Sequence, residues 1–146
     1  MEQNKVYIMI GLPGSGKSTY IKTNLNNPVV CSADHFFMTD GKYVFDPKKL
    51  GEAHQSCLRN FINSCISRVR TVVVDNTNTT IDQVSPYYSI AKAYGYKVIL
   101  VKFNVTKEIS FERNVHGVSM KAIEGMEFNL SRLKFPPFWD FEIISI

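Results

Sequence analysis

The stretch that decides the fold is IGLPGSGKST, residues 10–19. A short apolar run, KVYIMI at residues 5–10, precedes it and predicts a buried strand, and a helical pattern begins at Lys17. Gly11 through Ser18 match the pattern G-x-x-x-x-G-K-[ST] directly between that strand and that helix. The match in this position predicts a loop that binds phosphate groups.

Each residue type in this loop has a physical reason. Several backbone N–H groups must converge on phosphate oxygens, and glycine supplies the backbone angles and the clearance that this requires. The helix N-terminus adds partial positive charge, Lys17 is expected to reach the β- and γ-phosphates, and the Ser18 hydroxyl is expected to bind Mg²⁺. The predicted nucleotide-binding residues of the loop are Gly11, Leu12, Pro13, Gly14, Ser15, Gly16, Lys17, Ser18 and Thr19.

A phosphate loop alone does not distinguish a motor ATPase, a GTPase and a kinase. No Asn-Lys-x-Asp run, which is typical of guanine recognition, follows a later strand. The chain of 146 residues leaves little room for the subunit-interface elements of a ring ATPase. A small kinase that uses ATP and Mg²⁺ fits the length best.

The composition predicts one globular domain over residues 1–146, because 45% of the residues are hydrophobic and 21% are charged. No apolar run approaches the roughly 18 residues that a membrane span needs, so we expect no membrane partner. No charged segment precedes a small-residue cleavage site, so we expect no signal peptide.

The cysteines and the net charge bear on the cellular setting. Cys31, Cys57 and Cys65 are odd in number and form no Cys-x-x-Cys pair, which favours a reducing compartment. We therefore expect a cytoplasmic location, with a nuclear one left open. The net charge of +4 agrees equally well with a polyanionic partner and with an ordinary basic surface.

Strand-like and helical patterns alternate along the chain. The strand-like runs are continuously apolar, which is typical of a parallel sheet covered on both faces. We predict a three-layer α/β domain of the P-loop kinase type, with a central parallel sheet of about five strands and helices on both faces. Predicted strands are 5–10, 29–34, 71–75, 97–103 and 141–145; predicted helices are 17–25, 47–69, 81–94, 107–114 and 120–133.

Three local features refine this prediction. Asp46 and Pro47 form a good N-cap and first position for the long helix, and Pro86 is expected to interrupt or kink the third helix. A turn centred on Asp-Gly is expected at residues 39–43. The apolar stripe of the long helix, which is expected to pack in the core, comprises Leu50, Ala53, Cys57, Leu58, Phe61, Ile62, Cys65, Ile66 and Val69.

Two carboxylates follow predicted strands. Asp34 ends the run 29–34 and Asp75 ends TVVVD at 71–75. Because the carboxyl ends of parallel strands surround the ligand crevice, Asp34 is a candidate to accept a proton from an attacking hydroxyl, and Asp75 has the form of a carboxylate that orients Mg²⁺. A turn or cap role for Asp34, and a charge leaving the core for Asp75, remain alternatives.

The segment FERNVHGVSMK at 111–121 is a candidate lid, because phosphoryl transfer develops negative charge that a cation neutralises. Arg113 is the best candidate and Lys121 a weaker one. His116 is expected either to contact phosphate or to cap a helix. His54, on the long helix, is more typical of a structural or surface histidine.

The combination of GLPGSGKST, SADHFF, DNTNTT and RNVHGV, in this order and spacing, resembles the polynucleotide-kinase-like branch of P-loop proteins. That branch includes the kinase domain of polynucleotide kinase/phosphatase and a bacteriophage RNA-repair kinase. The segments GKYVFDPKKLGEAH and AYGYKVILV most resemble the P-loop domains of eukaryotic ubiquitin-ligase-binding proteins. The resemblance covers nearly the whole chain.

This resemblance implies an ATP- and Mg²⁺-dependent phosphotransferase whose acceptor is a 5′-hydroxyl end of RNA or DNA. It implies that Asp34 is the general base that activates the hydroxyl. It also implies that Lys17 and Ser18 bind the phosphates and Mg²⁺. Asp75, with Asn76 and Asn78 nearby, would order the Mg²⁺ and phosphate side, and Arg113 would contact the transferring phosphate.

The sequence departs from this family at the acceptor side. Members that are 5′-kinases carry an arginine just before the base, and the phage type has another three residues after it, where this chain has Ala33 and Phe37. The second lid arginine of the phage type is also absent, with His116 its nearest counterpart. A small-molecule or nucleoside kinase and a non-catalytic ATP-binding interaction module are therefore the alternatives, and a protein partner cannot be deduced from the sequence.

Overall fold

A computed structural model describes residues 3–146 of the chain. Seven strands form within them: β1 Lys5–Ile10, β2 Val29–Cys31, β3 Met38–Thr39, β4 Lys42–Tyr43, β5 Thr71–Val74, β6 Lys97–Lys102 and β7 Glu142–Ser145. Five of the strands form one parallel sheet in the order β2-β5-β1-β6-β7, and β3 and β4 form a separate antiparallel hairpin. The predicted parallel sheet of about five strands is confirmed.

Five α-helices connect these strands: α1 Lys17–Asn24, α2 Leu50–Ile66, α3 Ile81–Ala93, α4 Lys107–Arg113 and α5 Met120–Arg132. Two short 3₁₀ helices, Ala33–Phe37 and Pro47–Lys49, follow β2 and precede α2. No helix within residues 3–146 has both the length and the apolar character that a membrane span requires.

The direction of the chain along the sheet decides which face each helix covers. The chain leaves β1 towards β2 and later passes β1 in the opposite direction, from β5 to β6. Because parallel crossovers are right-handed, α1 lies on one face and α2 and α3 lie on the other. This reversal at β1 creates a crevice at the carboxyl ends of the strands, where ligands bind in open α/β sheets.

The core is divided by the sheet into two apolar layers. On β1, Val6 and Ile8 face the layer that contains Phe61 of α2, while Met9 faces the layer that contains Ile21 of α1. Both layers are buried. The central strands are therefore apolar on both sides, which explains their continuous hydrophobic runs.

Most predicted elements end within one residue of their observed bounds, but the second strand does not. The sequence predicts a strand over 29–34, whereas β2 stops at Cys31 and Asp34 lies in the 3₁₀ helix that follows. The reason is local, since the Ser32 side chain accepts a hydrogen bond from the Asp34 N–H at 3.2 Å and so caps the new turn. Asp34 therefore lies in a turn beyond the end of the strand, and its role stays a prediction.

The predicted interruption of the third helix at Pro86 is wrong, because α3 runs without a break from Ile81 to Ala93. A proline in this position removes the N–H that would bind the carbonyl of Asp82. Both residues line a cleft between α2 and α3. The helix therefore continues with one internal hydrogen bond fewer.

The two ends of the long helix also differ from the prediction. Asp46 does act as a cap, accepting a hydrogen bond from the Lys48 N–H at 3.0 Å, but the turn that it caps is a 3₁₀ helix that precedes α2. Leu50 and Ile66, at the first and last positions of α2, are 42% and 57% exposed, so their predicted place in the core is wrong.

All three cysteines are buried and free of disulfide bonds. The predicted packing role of Cys57 and Cys65 in the core is confirmed, and Cys31 is buried beside them. Burial raises the pKa of the Cys31 thiol to about 12 and that of Cys65 to about 11. These thiols are therefore protonated near neutral pH and poorly reactive, and the reducing compartment stays a prediction.

The hairpin formed by β3 and β4 contains the predicted turn at residues 39–43. Asp40 and Gly41 have φ angles of 51° and 76°, which is the pattern of the two-residue turns that close tight hairpins. The Val44 N–H donates a hydrogen bond to the Phe37 carbonyl at 2.8 Å. The hairpin is thereby folded back against the 3₁₀ helix that carries Asp34.

Two hydrogen bonds connect the end of β5 to the end of β1. The buried side chain of Asn78 donates from Nδ2 to the Met9 carbonyl at 2.7 Å, and the Gly11 N–H donates to the Thr77 carbonyl at 3.0 Å. Asn78 adopts a left-handed backbone conformation with a φ of 50°, which asparagine tolerates better than most residues. The β5–α3 loop, residues 75–80, is thus held directly beside the phosphate loop, residues 11–18.

We expect Asn78→Ala to lower the free energy of unfolding by about 1–3 kcal/mol, because the variant leaves the buried Met9 carbonyl without its donor. Urea denaturation followed by circular dichroism measures this change. Asn24→Ala is the matched control, since Asn24 makes a similar side-chain bond to the Tyr20 carbonyl on the exposed surface. Equal losses in the two variants would contradict the role assigned to Asn78.

Candidate active site

The strand order brings three predicted site elements to one edge of the sheet. The phosphate loop follows β1, Asp75 follows the neighbouring β5, and Asp34 lies just beyond β2 on the far side of β5. The Asp75 N–H donates to the Cys31 carbonyl at 2.8 Å and so joins the ends of β5 and β2. The charges of Asp75 and Asp34 both raise the pKa of Lys17, so the three groups lie near one another at this edge of the sheet.

Lys17 lies within the concave side of the phosphate loop. Its Nζ donates to the carbonyl oxygens of Gly11 at 3.0 Å and Leu12 at 2.8 Å. Burial lowers the pKa of Lys17 to about 8, while the nearby carboxylates of Asp75 and Asp34 act in the opposite direction. The ammonium is therefore held at the loop by neutral acceptors and is easily deprotonated compared with an exposed lysine.

The backbone of the loop requires glycine at particular positions. A Cβ on Gly14, whose φ is +67°, lies 2.9 Å from the carbonyl carbon and the Cβ of Arg113. A Cβ on Gly11 meets the Cβ of Phe103 at 2.9 Å. Gly16 has open space around it but a φ of +102°, so its conformation is what excludes other residues.

The donors of the loop suit a Mg²⁺–nucleotide. Ser15 Oγ is buried without a hydrogen-bond partner among the described residues, so a polar atom of the loop is left for a ligand. No cluster of three or more histidine, cysteine, aspartate or glutamate side chains within residues 3–146 forms a metal site of its own. Mg²⁺ commonly binds through one or two protein oxygens together with phosphate oxygens, and Ser18 and Asp75 supply such oxygens.

The electrostatics of Asp75 are set by its surroundings. Burial raises the pKa of this carboxyl, the Lys17 ammonium lowers it, and the charge of Asp34 raises it further. His35, the neighbour of Asp34, also lowers the pKa of Asp75, as the last and smallest of these influences. A bound cation would favour the ionised carboxylate in the same way as Lys17 does.

The C-terminal end of α4 packs directly on the phosphate loop. Ser110 Oγ donates to the Pro13 carbonyl at 2.5 Å, and the backbone of Arg113 lies against Gly14. Arg113 is the last residue of α4 and its side chain is exposed. The structure therefore brings the predicted lid arginine to the loop, with its guanidinium on the solvent side.

The carboxylate of Asp34 has two neighbours from distant parts of the chain. Tyr43 Oη donates to Asp34 Oδ1 at 3.2 Å, and His116 Nε2 lies 3.7 Å from Asp34 Oδ2. The rings of Tyr43 and His116 are in contact, with their centroids 4.0 Å apart. The hairpin and the α4–α5 loop, residues 114–119, thus meet over the candidate base.

The location of His116 excludes one of its two predicted roles. The cap of α5 is Ser119, whose side chain accepts from the Ala122 N–H at 3.1 Å, so the helix-capping role of His116 is wrong. Its ring lies beside Asp34 and on Tyr43. Its predicted contact with a nucleotide stays a prediction.

The asparagines of the β5–α3 loop hold backbone groups. Asn76 Oδ1 accepts from the Ala33 N–H at 2.9 Å, which fixes the start of the 3₁₀ helix that carries Asp34. Asn78 is 2% exposed and its amide is used by the Met9 carbonyl. The structure therefore shows a tethering role for both, and the predicted contact of Asn78 with a nucleotide stays a prediction.

The remaining predicted residues are exposed on helices α1, α2 and α5. Ser18 and Thr19 are exposed in the first turn of α1, and Lys121 is exposed in the first turn of α5. His54 is exposed on α2, as expected, and lines a cleft of about 290 Å³ between α2, α3 and the β5–α3 loop. None of these positions changes the assignment of the crevice.

Sequence reasoning missed the phenol of Tyr43 and the amide of Asn76 as partners of the segment that carries Asp34. The Asp-Gly turn was a usable signal, because a tight turn at 40–41 places residue 43 opposite residue 38. The contact from Tyr43 to Asp34, however, depends on how the hairpin folds back, which no local pattern reveals.

The parallel sheet, with a glycine-rich loop that ends in Lys17 and Ser18 after its central strand, defines a P-loop nucleotide-binding domain with a kinase-like fold. The family described as "AAA domain" matches residues 6–118, and the chain belongs to this family of P-loop domains.

Two curated relatives agree with the resemblance inferred from the motifs. The chain is 36% identical to NEDD4-binding protein 2 of Homo sapiens over 128 residues, which are 82% of this chain and 7% of that protein. It is 22% identical to the bifunctional polynucleotide phosphatase/kinase of Schizosaccharomyces pombe over 137 residues, which are 92% of this chain and 30% of that protein. The chain thus spans a minor part of each relative.

A solved structure confirms the fold independently. The Pnkp1/Rnl/Hen1 RNA repair complex contains a chain that matches with a TM-score of 0.71 and 20% identity, over 90% of this chain and 45% of that one. Together with the relatives, this likeness confirms the predicted resemblance to polynucleotide-kinase-like P-loop proteins.

We expect Gly14→Ala to lower the free energy of unfolding by about 1–3 kcal/mol and to weaken ATP binding at least roughly tenfold, because the new Cβ strains the backbone and displaces α4. Thermal unfolding and calorimetric titration with ATP measure the two effects. Gly51→Ala is the control, since nothing lies within 4 Å of its Cβ on α2. A Gly14→Ala protein that binds ATP like the wild type would refute the tight contact between loop and helix.

The lowered pKa of Lys17 predicts a pH dependence of nucleotide binding. Only the charged ammonium attracts phosphate, so ATP affinity should be full below a pH of about 8 and should fall above it. The loss can reach about tenfold per pH unit, because one proton is linked to binding. ATP titrations of the wild type and of Lys17→Arg between pH 7 and 9.5 measure this effect. The affinity of Lys17→Arg should change less with pH than that of the wild type, because the arginine keeps its charge. An equal pH dependence in the two proteins would contradict the link between Lys17 and binding.

Proposed function

We propose that the chain is an ATP- and Mg²⁺-dependent phosphotransferase that acts on a hydroxyl group at the 5′ end of RNA or DNA. The observation that carries the proposal is the second carboxylate of the crevice. The Asp34 side chain is 53% exposed, interacts electrostatically with Lys17, and is oriented by a hydrogen bond from Tyr43. A domain that only binds a nucleotide needs the loop and Asp75 but has no use for such a group.

In the proposed reaction each side chain has one task. Asp34 accepts the proton of the attacking hydroxyl, while Lys17 and Arg113 neutralise the charge that develops on the transferring phosphoryl group. Ser18 and Asp75 hold Mg²⁺, which supplies further neutralisation of the phosphate charge when bound. The catalytic effect then comes from positioning and from charge, as is usual for phosphoryl transfer.

A surface beside Asp34 supports a nucleic-acid acceptor. Phe36 and Phe45 are 38% and 49% exposed, and the rings of Tyr43 and Phe45 are within 9° of parallel. Exposed aromatic rings of this kind bind the bases of single-stranded nucleic acid by stacking. The net charge of +4 is compatible with the same class of partner.

A kinase for a small hydroxyl compound or a nucleoside is the second candidate, and a specific observation favours it. Ala33 and Phe37, which occupy the places of the arginines in related 5′-kinases, are 6% and 4% exposed. They pack in the core and cannot hold a substrate phosphate. An acceptor without a phosphate would need no such contact.

Transfer of phosphate from γ-labelled ATP tests the proposal, with 5′-hydroxyl RNA, 5′-hydroxyl DNA, nucleosides and sugars as acceptors in the presence of Mg²⁺. The wild type should label an oligonucleotide, and Asp34→Asn and Lys17→Ala should each lose at least about a hundredfold in rate. Asp140→Asn and Lys92→Ala are the matched controls, since these residues form one exposed ion pair at 3.1 Å, far from the crevice.

The outcomes separate the candidates. Label on an oligonucleotide that depends on Asp34 supports the proposed function, and a steep loss of affinity with added salt supports the nucleic-acid acceptor further. Label only on a small hydroxyl compound favours the second candidate. ATP binding without transfer to any acceptor would leave a nucleotide-binding interaction module.

A further inference from the structure

We propose that Tyr43 is a positioning residue for Asp34: its phenol holds one carboxylate oxygen and thereby presents the other oxygen to the acceptor hydroxyl. The inference deepens the proposed function and rests on it for the role of Asp34 as the base. The contact itself does not depend on that role, because the hydrogen bond from Tyr43 of the hairpin to Asp34 of the preceding 3₁₀ helix is present in the structure whatever the chain catalyses.

The geometry of the contact is that of a donor to an ionised carboxylate. Tyr43 Oη donates to Asp34 Oδ1 at 3.2 Å. Burial, followed by the negative charge of Asp34, raises the pKa of Tyr43 to about 12. The phenol therefore stays protonated throughout the physiological range and can act only as the donor in this pair.

Packing holds the Tyr43 ring in place. Phe37, which is 4% exposed, contacts the edges of both Tyr43 and Phe45, with ring centroids 6.1 and 5.0 Å away. His116 lies on the Tyr43 ring at 4.0 Å, from the α4–α5 loop. Two elements that are far apart in sequence thus fix the ring from different directions, and the hydroxyl has little freedom to leave Asp34.

The two oxygens of Asp34 are consequently unequal. Oδ1 accepts from Tyr43 at 3.2 Å, whereas His116 Nε2 lies 3.7 Å from Oδ2, beyond hydrogen-bond distance. Lys17 and Asp75 interact with Asp34 through their charges from the floor of the crevice. A carboxylate held through one oxygen keeps the other in a fixed direction, which is what proton transfer from an oriented hydroxyl requires.

Tyr43→Phe tests the proposal, because it keeps the ring and its packing and removes only the hydroxyl. We expect kcat to fall roughly tenfold with the KM for the acceptor nearly unchanged, since the base is still present but less well oriented. Tyr94→Phe, the same change at a tyrosine that packs on Arg68, should alter neither value.

A second measurement tests the same contact by following Tyr43 in a variant of Asp34. In Asp34→Asn the Tyr43 phenol loses its negative neighbour, so its pKa should fall from about 12 towards its ordinary value in an NMR titration of the tyrosine ring carbons. A Tyr43 pKa that is unchanged in Asp34→Asn, or a kcat that is unchanged in Tyr43→Phe, would overturn the positioning role. If the pKa shift occurs but the wild type transfers phosphate to no acceptor, the contact stands and the proposed function fails.

Discussion

The arrangement of the candidate site depends on the hydrogen bonds that join the ends of three neighbouring strands. Thr77 and Asn78 hold the β5–α3 loop against the end of β1, and the bond from Asp75 to the Cys31 carbonyl holds the end of β5 against that of β2. Each bond uses a backbone group that the end of a strand would otherwise leave without a partner. The phosphate loop and both carboxylates are therefore placed by the same bonds that complete the sheet.

Burial and a neighbouring opposite charge act in opposing directions on the ionised forms of Lys17 and Asp75. Burial makes the Lys17 ammonium less stable, and it makes the Asp75 carboxylate less stable as well, but each favours the ionised form of the other. Asp34 adds a second negative charge, on a more exposed side chain. A bound Mg²⁺–nucleotide brings charge of both signs to this crevice, and so offsets the repulsion between the carboxylates together with the cost of burying the lysine.

The sequence was sufficient to predict the parallel sheet and the phosphate loop, because both have local signals: continuous apolar runs, and glycines at fixed spacing before Lys17. It was not sufficient for the surroundings of Asp34. The bond from Asn76 to Ala33 joins residues 43 positions apart, and the contact of His116 with Asp34 depends on where the α4–α5 loop crosses the crevice. Such contacts are decided by how the elements pack, and the same sequence pattern is compatible with several packings.

The close fit of Gly14 against the end of α4 has a thermodynamic consequence. Because the backbone of Arg113 leaves no room for a Cβ at Gly14, a ligand that moved the phosphate loop towards α4 would also have to move the end of that helix, which leads into the α4–α5 loop that carries His116 to Asp34. The two halves of the crevice are then linked, and linkage between binding sites is reciprocal. If a ligand binds in each half, each ligand changes the affinity for the other by the same factor, whichever of the two binds first.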